Sequence, residues 1–484
     1  MTFEELCRLA PHERITESAR DADGNSVFVC IRGVHADGHS FAGDAYRRGC
    51  RLFVSERALP LPSDAAVVTV PDTHTALAAL ACAHEGNPSR ELAVIGVTGT
   101  KGKTTVSLLL AHILNRCGVR CGYIGSNGID QGDGNTVAIP NTTPDAVTLQ
   151  RALRDMVRSG CRAVALEVSS QALKLGRVAG TTFDTCMFTN LFPDHIGPGE
   201  HPDFADYAAC KKRLFVDYPT QAVLCSIDDP FAATLLADTR APVRLTCSMH
   251  TDADFTAREI VRFRDAQTLG CSFLLQENGA APVPCRLPLI GDENVSNALL
   301  AIACAAARFG IAPTAAAKTL PDVRISGRSE TVGLPSGALG VIDYAHNGVS
   351  LRRLLTELRA SCRGRLIVLF GSVGERTKLR RRELGAVAAE LADLAVLTSD
   401  NPGTEDPAAI IRDIAAGMEG YPTPHLEIPD RAEAIRTAAG LLRPDDILVL
   451  AGKGHERYQL IGKEKRPFCE REILCGATVA DRIP

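Results

Sequence analysis

The stretch that most constrains this chain is an apolar run that breaks into glycines and then into Lys-Thr-Thr. Residues 95–105 read Ile-Gly-Val-Thr-Gly-Thr-Lys-Gly-Lys-Thr-Thr. This order predicts a strand, a phosphate-binding loop and a helix whose N-terminus faces the bound anion. Lys103 is then expected to neutralise the terminal phosphates, and Thr104 to offer its hydroxyl to Mg²⁺. An ordinary glycine-rich turn is the alternative, but the flanking apolar strand favours ATP binding.

Length and composition set the class of protein. A chain of 484 residues predicts more than one domain, since single cores stop growing at roughly 250–300 residues. The net charge of −4 argues against a protein that binds nucleic acid by bulk charge. The 17 cysteines are scattered singly, so we interpret them as reduced core residues rather than zinc ligands. No apolar run is long enough to span a bilayer, and we expect a cytosolic monomer.

Two further positions carry candidate metal ligands. Residues 162–168 read as a buried strand with Glu167 near its carboxyl end, where ligands gather in open parallel sheets. A glutamate there can bind Mg²⁺ through one oxygen, although a strand-end glutamate facing solvent is the alternative. Tyr207, Lys211 and Phe215 fall on one helical face. On the residues alone, Lys211 is best interpreted as a solvated surface lysine.

The loop also departs from the common P-loop pattern, because Gly96 stands six residues before Gly102 instead of five. With this displaced glycine it resembles the ATP loop of the Mur ligases, the amide-bond-forming enzymes of peptidoglycan precursor synthesis. Further segments resemble family motifs in family order, including Glu167-Val-Ser-Ser-Gln, Asn190-Leu-Phe-Pro-Asp-His195, Gly327-Arg-Ser-Glu330 and Asp343-Tyr-Ala-His346. The resemblance extends essentially from residue 16 to residue 472.

The alternation of strands and helices predicts an α/β fold with three domains. By the resemblance, residues 1–88 form a small nucleotide-sugar-binding module, residues 89–326 a central P-loop ATPase-like domain with a parallel sheet, and residues 327–484 a Rossmann-like domain that binds the amino acid. The first module also carries Asp37-Gly-His-Ser-Phe41, which resembles a turn of the family members that build the tripeptide; a plain surface turn is the alternative.

The resemblance implies functional residues. The expected contacts of the UDP-muramoyl-peptide are Ser18, Asn141, Thr142, Thr143, Ser169 and Arg177. Those of ATP are Gly99, Thr100, Lys101, Gly102, Lys103, Thr104, Thr105, Asn294, Asn297, Arg328 and Asp343. His195 and His346 are expected beside the reacting groups, together with Lys103. In this family a lysine at the place of Lys211 is carbamylated by CO₂ and becomes a ligand of a second Mg²⁺, so the metal ligands would be Thr104, Glu167 and Lys211.

The amino-acid site is expected at Arg376, Asp400, Asn401, Gly452 and Glu456. Family members that add meso-diaminopimelate typically read Asp-Asn-Pro-Arg, whose arginine pairs with the distal carboxylate of the substrate. Here Gly403 takes the place of that arginine. Loss of the charge-assisted contact disfavours diaminopimelate unless Arg376 compensates, and Asp400 and Glu456 suit a distal ammonium. We therefore predict L-lysine or a similar diamino acid, with meso-diaminopimelate as the alternative.

The sequence thus predicts an ATP-dependent ligase that joins a free L-amino acid to UDP-N-acetylmuramoyl-L-alanyl-D-glutamate through an acyl phosphate. Two other functions stay open. A ligase resembling folylpolyglutamate synthetase shares the loop and the central fold, but it would lack the N-terminal module and the Asp-Asn-Pro run. A non-catalytic ATP-binding partner protein is the second alternative, and the intact Lys103, Glu167, Lys211 and His346 argue against it.

Overall fold

The computed structural model describes residues 1–10, 14–33, 36–197, 200–375 and 378–480, with side chains up to residue 476. Arg376, an expected amino-acid contact, lies outside the described residues. The chain divides into two compact units. The first comprises residues 1–258, 275–283 and 296–319, and the second comprises residues 259–274, 284–295 and 320–484. Among the described residues, no helix is both long and apolar enough to cross a membrane.

The first unit begins with a small α/β module. Its elements are α1 (Phe3–Leu9), β1 (Arg14–Thr16), β2 (Ser26–Val29), α2 (Ala42–Arg47), β3 (Leu52–Ser55), β4 (Ala66–Thr69) and α3 (Thr73–His84). The four strands pair in parallel in the order β1-β2-β3-β4. Asp72 caps α3 by accepting hydrogen bonds from the backbone N–H groups of His74 and Thr75.

A larger sheet carries the phosphate loop. Its strands and helices in the first part are β5 (Ala93–Thr98), α4 (Lys103–Arg116), β6 (Cys121–Gly125), β7 (Gly128–Asp130), β8 (Thr136–Val137), α5 (Ala146–Arg158), β9 (Ala163–Glu167), α6 (Ser170–Lys174) and β10 (Thr185–Phe188). The chain continues through α7 (Phe204–Val216), β11 (Ala222–Ser226), α8 (Phe231–Asp238), β12 (Val243–Ser248), β13 (Phe255–Arg264), β14 (Leu269–Glu277), β15 (Val283–Leu287), α9 (Asp292–Phe309) and α10 (Pro313–Thr319). The eleven strands have the order β15-β14-β13-β12-β11-β10-β5-β9-β6-β7-β8.

The order of this sheet places β5 between β9 and β10, and both pairings are parallel. All five residues of β9 are buried, as are five of the six in β5. Strands buried on both faces are typical of parallel sheets covered by helices. The carboxyl ends of β5, β9 and β10 therefore lie at one edge, which brings together the segments that follow Thr98, Glu167 and Phe188.

The second unit contains another α/β sheet. Its elements are β16 (Glu330–Gly333), β17 (Leu339–Asp343), α11 (Gly348–Ser361), β18 (Leu366–Phe370), α12 (Lys378–Leu391), β19 (Leu394–Leu397), α13 (Pro407–Ala415), β20 (His425–Glu427), α14 (Arg431–Gly440), β21 (Ile447–Ala451), β22 (Tyr458–Ile461), β23 (Glu464–Pro467) and α15 (Glu470–Ala480). Six strands pair in the order β16-β17-β21-β18-β19-β20, with β16 antiparallel, and β22 and β23 form a separate hairpin.

Alternate residues of this second sheet enter two different cores. Val341 and Val449 pack with α11, α12 and α13, whereas Ile342 and Leu448 pack with α14 and α15. This arrangement is the period-two alternation of a strand that is buried on both faces. The predicted α/β fold class is confirmed. The central sheet, however, is mixed rather than parallel, because β7 pairs antiparallel with both β6 and β8.

Candidate active site

The phosphate loop connects β5 to α4. Gly99 and Gly102 have φ angles of +149° and +86°, and a Cβ on Gly102 would collide with the side chain of Asn297. The loop therefore requires glycine at both positions. The ammonium of Lys103 donates to the carbonyl oxygens of Gly99 and Thr100 at 3.0 and 3.1 Å. These contacts hold the lysine over the loop, at the N-terminus of α4, where an anion is favoured.

The segment after β10 fixes the shape of the loop. The N–H of Thr100 donates to the carbonyl oxygen of Asn190 at 2.8 Å, and the N–H of Lys101 donates to the Asn190 side-chain oxygen at 2.9 Å. Lys101 also pairs with Asp194 at 3.1 Å. Burial is the largest single influence on the pKa of Asp194 and acts to raise it, but the charge and hydrogen bond of Lys101, together with His195, outweigh burial and hold that pKa below its ordinary value. Asp194 therefore presents a carboxylate beside the loop.

Glu167, at the end of β9, is fully buried and collects several donors. Its Oε1 accepts from the hydroxyl of Tyr123 at 2.6 Å and from the N–H of Ser126 at 2.9 Å. Its Oε2 accepts from the hydroxyl of Thr104 at 2.9 Å. The structure thus brings together the two predicted Mg²⁺ ligands of this region, and it excludes the alternative of a solvent-facing glutamate. Tyr123 and Ser126 were not expected from the sequence.

Lys211, on α7, is 1% exposed, so the interpretation as a solvated lysine is wrong. Its ammonium donates to the carbonyl oxygen of Gly99 at 2.7 Å and lies 4.5 Å from the centre of the Tyr207 ring. Burial and the nearby charge of Lys103 lower the pKa of Lys211 well below its ordinary value. The hydroxyl of Tyr207 in turn donates to the Thr100 hydroxyl at 3.2 Å. Lys211 is therefore a buried amine next to the phosphate loop, and it loses its proton more readily than an exposed lysine does.

Most of the expected contacts of the muramoyl peptide surround Glu167. Thr143 donates to the carbonyl oxygen of Glu167 at 2.8 Å and accepts from the N–H of Ser169 at 3.0 Å. Arg177 donates to the carbonyl oxygen of Thr143 at 3.0 Å, and Thr142 lies 3.0 Å from the Ser126 hydroxyl. These side chains form one polar cluster at the edge of the sheet.

Two expected contacts lie outside that cluster of hydroxyls. Asn141 is exposed in the bend before α5. Ser18 follows β1, and its N–H donates to the Thr16 hydroxyl at 3.1 Å.

Among the expected ATP contacts, Thr105 is buried in the first turn of α4, and Asn297 is buried against Gly102. The amide of Asn294 donates to the carbonyl oxygen of Ile290 at 2.6 Å.

The segment after β10 carries two histidines with different environments. His195 is half exposed and contacts Glu200 at 3.2 Å. His201, which sequence reasoning did not select, is buried between the Ser170 hydroxyl at 2.9 Å and the Asp206 carboxylate at 2.7 Å. Its ring packs against Tyr207 with centroids 5.2 Å apart. His201 therefore joins the start of α6 to the helix that carries Lys211.

His201 and Asp206, with Cys210, also place three possible metal-ligand atoms within 4.8 Å of one another. The Asp206 oxygen that contacts His201 also accepts from Lys174 at 3.0 Å. This lysine supplies the positive charge that the carboxylate requires. The oxygen donors of Thr104 and Glu167 suit Mg²⁺ better than this cluster does.

In the second unit, Asp343 organises the segment after β17. Its carboxylate accepts from the N–H groups of Ser329 and Ala345 at 2.7 and 2.8 Å. Burial raises the pKa of Asp343 above its ordinary value, although the charge of Arg328 opposes the shift. The guanidinium of Arg328 lies 5.0 Å from the centre of the Tyr344 ring, and the His346 ring lies 4.9 Å from that ring. Three of the predicted residues therefore share one site.

The expected amino-acid residues of the described chain form a second cluster in this unit. The amide of Asn401 donates to Glu456 at 2.9 Å, and Gly452 lies against the carboxylate of Asp400. The ammonium of Lys453 reaches all three side chains: Asn401 at 2.9 Å, Glu456 at 3.1 Å and Asp400 at 3.5 Å. Lys453 was not selected from the sequence.

The two segments that contain the larger sheets both match domain models of one protein family. Residues 97–305 match the Mur ligase middle domain, and residues 327–454 match the Mur ligase glutamate ligase domain. Two relatives are described as UDP-N-acetylmuramoyl-L-alanyl-D-glutamate–2,6-diaminopimelate ligases. The relative from Geobacillus kaustophilus is 40% identical over 95% of this chain and 93% of its own length. The relative from Chlorobaculum tepidum is 39% identical over 95% of this chain and 91% of its own length.

A solved structure described as a ligase of the same kind superposes with a TM-score of 0.69 at 29% identity. It covers 98% of this chain and 96% of its own. The phosphate loop, with its buried carboxylate and buried lysine, and the matches of both domains to ligase families place the protein in the class of ATP-dependent ligases that form amide bonds. The full-length similarity gives the particular family: the chain belongs to the Mur ligases. The family predicted from the sequence is confirmed, as is its three-domain fold.

Proposed function

We propose that this ligase adds a diamino acid to UDP-N-acetylmuramoyl-L-alanyl-D-glutamate. The observation that carries the proposal is the grouping of Lys103, Glu167 and Lys211 around one phosphate loop in a chain whose relatives of that description match it over nearly its full length. ATP and a UDP-linked substrate are consistent with a cytoplasmic reaction, and we propose that the enzyme acts as a monomer.

The proposed chemistry has two steps. The side-chain carboxylate of the D-glutamyl residue attacks the γ-phosphorus of ATP, the bond to ADP breaks, and an acyl phosphate forms. The amine of the incoming amino acid then attacks the acyl carbon, an amide forms and phosphate leaves. Lys103 and the loop N–H groups hold the phosphates in line, which is the main task of a protein in phosphoryl transfer. Arg177, held by the carbonyl oxygen of Thr143, is suited to orient the substrate's anionic groups.

The donors at the loop fit Mg²⁺. Thr104 and Glu167 offer a hydroxyl and a carboxylate, which are oxygen ligands of the kind that Mg²⁺ prefers. When bound there, the ion would neutralise charge on the phosphate oxygens. We further propose that Lys211 is carbamylated. Its burial and its lowered pKa favour the neutral amine, which is the form that reacts with CO₂.

The amino acid is the finer part of the proposal. The described relatives are diaminopimelate ligases, and they support meso-diaminopimelate over the L-lysine that we predicted from Gly403. One local observation favours L-lysine as the second candidate. A Cβ at position 403 would lie 3.2 Å from a carboxylate oxygen of Glu375. An acidic group therefore adjoins the position at which an arginine would pair with the distal carboxylate of diaminopimelate, and an acidic group there suits a distal ammonium better.

The roles of the domains follow the same proposal. Residues 1–88, with Ser18, would bind the UDP moiety, residues 89–326 would bind ATP, and residues 327–484 would bind the amino acid. His195, His346, Asn294, Asn297, Arg328 and Asp343 would contact the nucleotide or the reacting groups.

Steady-state kinetics test the proposed function. Phosphate release is measured with ATP and UDP-N-acetylmuramoyl-L-alanyl-D-glutamate, with and without meso-diaminopimelate, L-lysine or L-ornithine. Release that depends on a diamino acid supports the ligase. A much higher kcat/KM for meso-diaminopimelate supports the first candidate, and a much higher value for L-lysine supports the second. ATP binding with no release under any condition would refute the proposal in favour of a non-catalytic partner protein.

A further inference from the structure

Lys453 is the most deeply buried charged group of the amino-acid cluster. It follows β21 and Gly452, and its side chain is 0% exposed, compared with 3% for Asp400 and 17% for Glu456. The rings of Tyr458 and Phe468 flank its ammonium at 5.7 and 6.0 Å. A buried lysine is stable only with partners for its charge. The neighbours of Lys453 therefore indicate what it does.

Within the described residues, the hydrogen-bond and ion-pair partners of Lys453 all belong to the proposed amino-acid site. The buried Glu470 is a further negative group that interacts with Lys453. Its ammonium donates to Asn401 Oδ1 at 2.9 Å and to Glu456 Oε2 at 3.1 Å, and it lies 3.5 Å from Asp400 Oδ1. The Asn401 amide also donates to Glu456 Oε2, so lysine, amide and carboxylate form a closed triangle. The side chains of Asn401 and Glu456 are thereby fixed relative to each other.

The surroundings make this triangle rigid. The N–H of Leu460 donates to Asn401 Oδ1 at 2.9 Å, and the side chain of Gln459 donates to the carbonyl oxygen of Asp400 at 2.8 Å. Behind them, the fully buried Arg431 donates to the carbonyl oxygen of Ala451 and pairs with Glu470. Since Arg431 and Glu470 balance each other, one negative charge is left over among Asp400, Glu456 and Lys453. Glu456 is the member of this cluster that solvent reaches most.

We propose that Lys453 is the positioning residue of the amino-acid site. Its ammonium clamps Asn401 and Glu456 so that the free part of the Glu456 carboxylate receives the second ammonium of the diamino acid. Without Lys453, the carboxylates of Asp400 and Glu456 would lose the cation that they share and would repel each other, so Glu456 would no longer be held in its present place. This inference rests on the proposed function. It adds Lys453 as the residue that holds the Glu456 carboxylate in place for the diamino acid.

The test compares four variants of the full-length protein: Lys453→Met, Glu456→Gln, the double variant, and the matched control Lys463→Met. Lys463 is exposed in the turn between β22 and β23. KM is measured for ATP, for the UDP-dipeptide and for the diamino acid that the wild type uses. Selectivity is measured as the kcat/KM ratio between that diamino acid and its analogue without the second ammonium, such as L-lysine against L-norleucine.

We expect Lys453→Met to raise the KM of the diamino acid about 10-fold or more and to reduce the selectivity ratio by a similar factor, with the KM of ATP nearly unchanged. Because Lys453 acts through Glu456, the double variant should be no worse than Glu456→Gln, which is non-additivity of coupled residues. The double variant also removes one charge of each sign. If Lys453→Met does not fold, the comparison of the double variant with Glu456→Gln still tests the inference.

Three results would overturn the inference: additive effects in the double variant, an equal rise in the KM of ATP, or unchanged selectivity. The proposed function fails separately, if the wild type releases no phosphate with any diamino acid.

Discussion

Replacing Glu167 by glutamine separates the chemistry of the phosphate loop from its folding. The amide oxygen can keep the hydrogen bonds from Tyr123 and the N–H of Ser126, and the amide NH₂ can face the hydroxyls of Thr104 and Ser126, which rotate to accept. Each hydrogen bond to a charged group is worth about 1.5–3 kcal/mol and each neutral one about 0.5–1.5 kcal/mol. Since the variant no longer buries a charge, we expect a net loss of only about 1–2 kcal/mol in the free energy of unfolding.

Activity should respond far more strongly. The variant loses the negative charge proposed to face Mg²⁺, so we expect kcat/KM to fall about 10²–10³-fold, a typical cost of removing one preorganised electrostatic contact. The assays are phosphate release across a Mg²⁺ titration and thermal melting, with the exposed Glu419→Gln as control. Near-normal turnover in a folded Glu167→Gln variant would refute the role of this carboxylate, and so would inactivity explained by unfolding.

Four further predictions concern the charges of Lys103, Lys211 and Arg431. Lys103→Ala should abolish phosphate release without lowering the melting temperature, because the side chain contacts loop carbonyls and no core; an unfolded or active variant would contradict this. Lys211→Ala should be nearly inactive and partly rescued by small carboxylates. Burial lowers the pKa of Lys211 in the folded chain. Between this lowered pKa and the ordinary value of 10.5, the unfolded chain binds a proton that the folded chain lacks, so the free energy of unfolding should rise with pH across that range. Denaturant unfolding in CO₂-free buffer should show this slope, at most about 1.4 kcal/mol per pH unit, and Lys211→Met should lack it. Arg431→Met should cost about 3–5 kcal/mol in unfolding free energy by leaving Glu470 unpaired, and the Arg431→Met/Glu470→Leu double variant should recover most of that loss.

Segments with a continuous apolar run were predictable from the sequence. The apolar runs Leu339–Asp343, Leu366–Phe370 and Leu394–Leu397 predict strands, and β17, β18 and β19 have these bounds. The expected helix starting at Lys103 also begins there, because the glycine before it has a left-handed backbone that ends the loop. Residues 228–287 carry weak sequence signals that predict strands and turns; the structure has strands in most of this stretch, but it also contains α8.

Helix starts were less predictable where polar side chains have tertiary partners. Residues 142–144, Thr-Thr-Pro, predict a helix that is capped by a threonine and has proline at its first position. The helix α5 instead begins at Ala146, and Asp145 caps it by accepting from the N–H of Thr148. Thr143 is buried and donates instead to the carbonyl oxygen of Glu167. The apolar run from Ala298 to Phe309 predicts a helix that starts at Ala298. The helix α9 begins earlier, at Asp292, since acidic residues suit the first turn of a helix.

The site residues that the sequence did not reveal act on partners far along the chain. Tyr123 is 44 residues from Glu167, and Lys453 is 52 residues from Asn401. The order of strands in the sheet brings such residues into contact. For example, β6 pairs directly with β9, although β7, β8 and α5 lie between them in sequence. The local signal was a polar residue at the carboxyl end of an apolar strand or within the next two residues. Glu167 was found by that rule, and the same rule applied to β6 and β21 would have selected Ser126 and Lys453.

The measurement that tests the central claim most directly is product analysis by mass spectrometry. The full-length protein is incubated with ATP, Mg²⁺, UDP-N-acetylmuramoyl-L-alanyl-D-glutamate and meso-diaminopimelate or L-lysine. We predict a UDP-linked tripeptide whose mass has increased by one diamino acid minus water, together with equal amounts of ADP and phosphate. Hydrolysis of ATP without that product, or no reaction with either amino acid, would contradict the account.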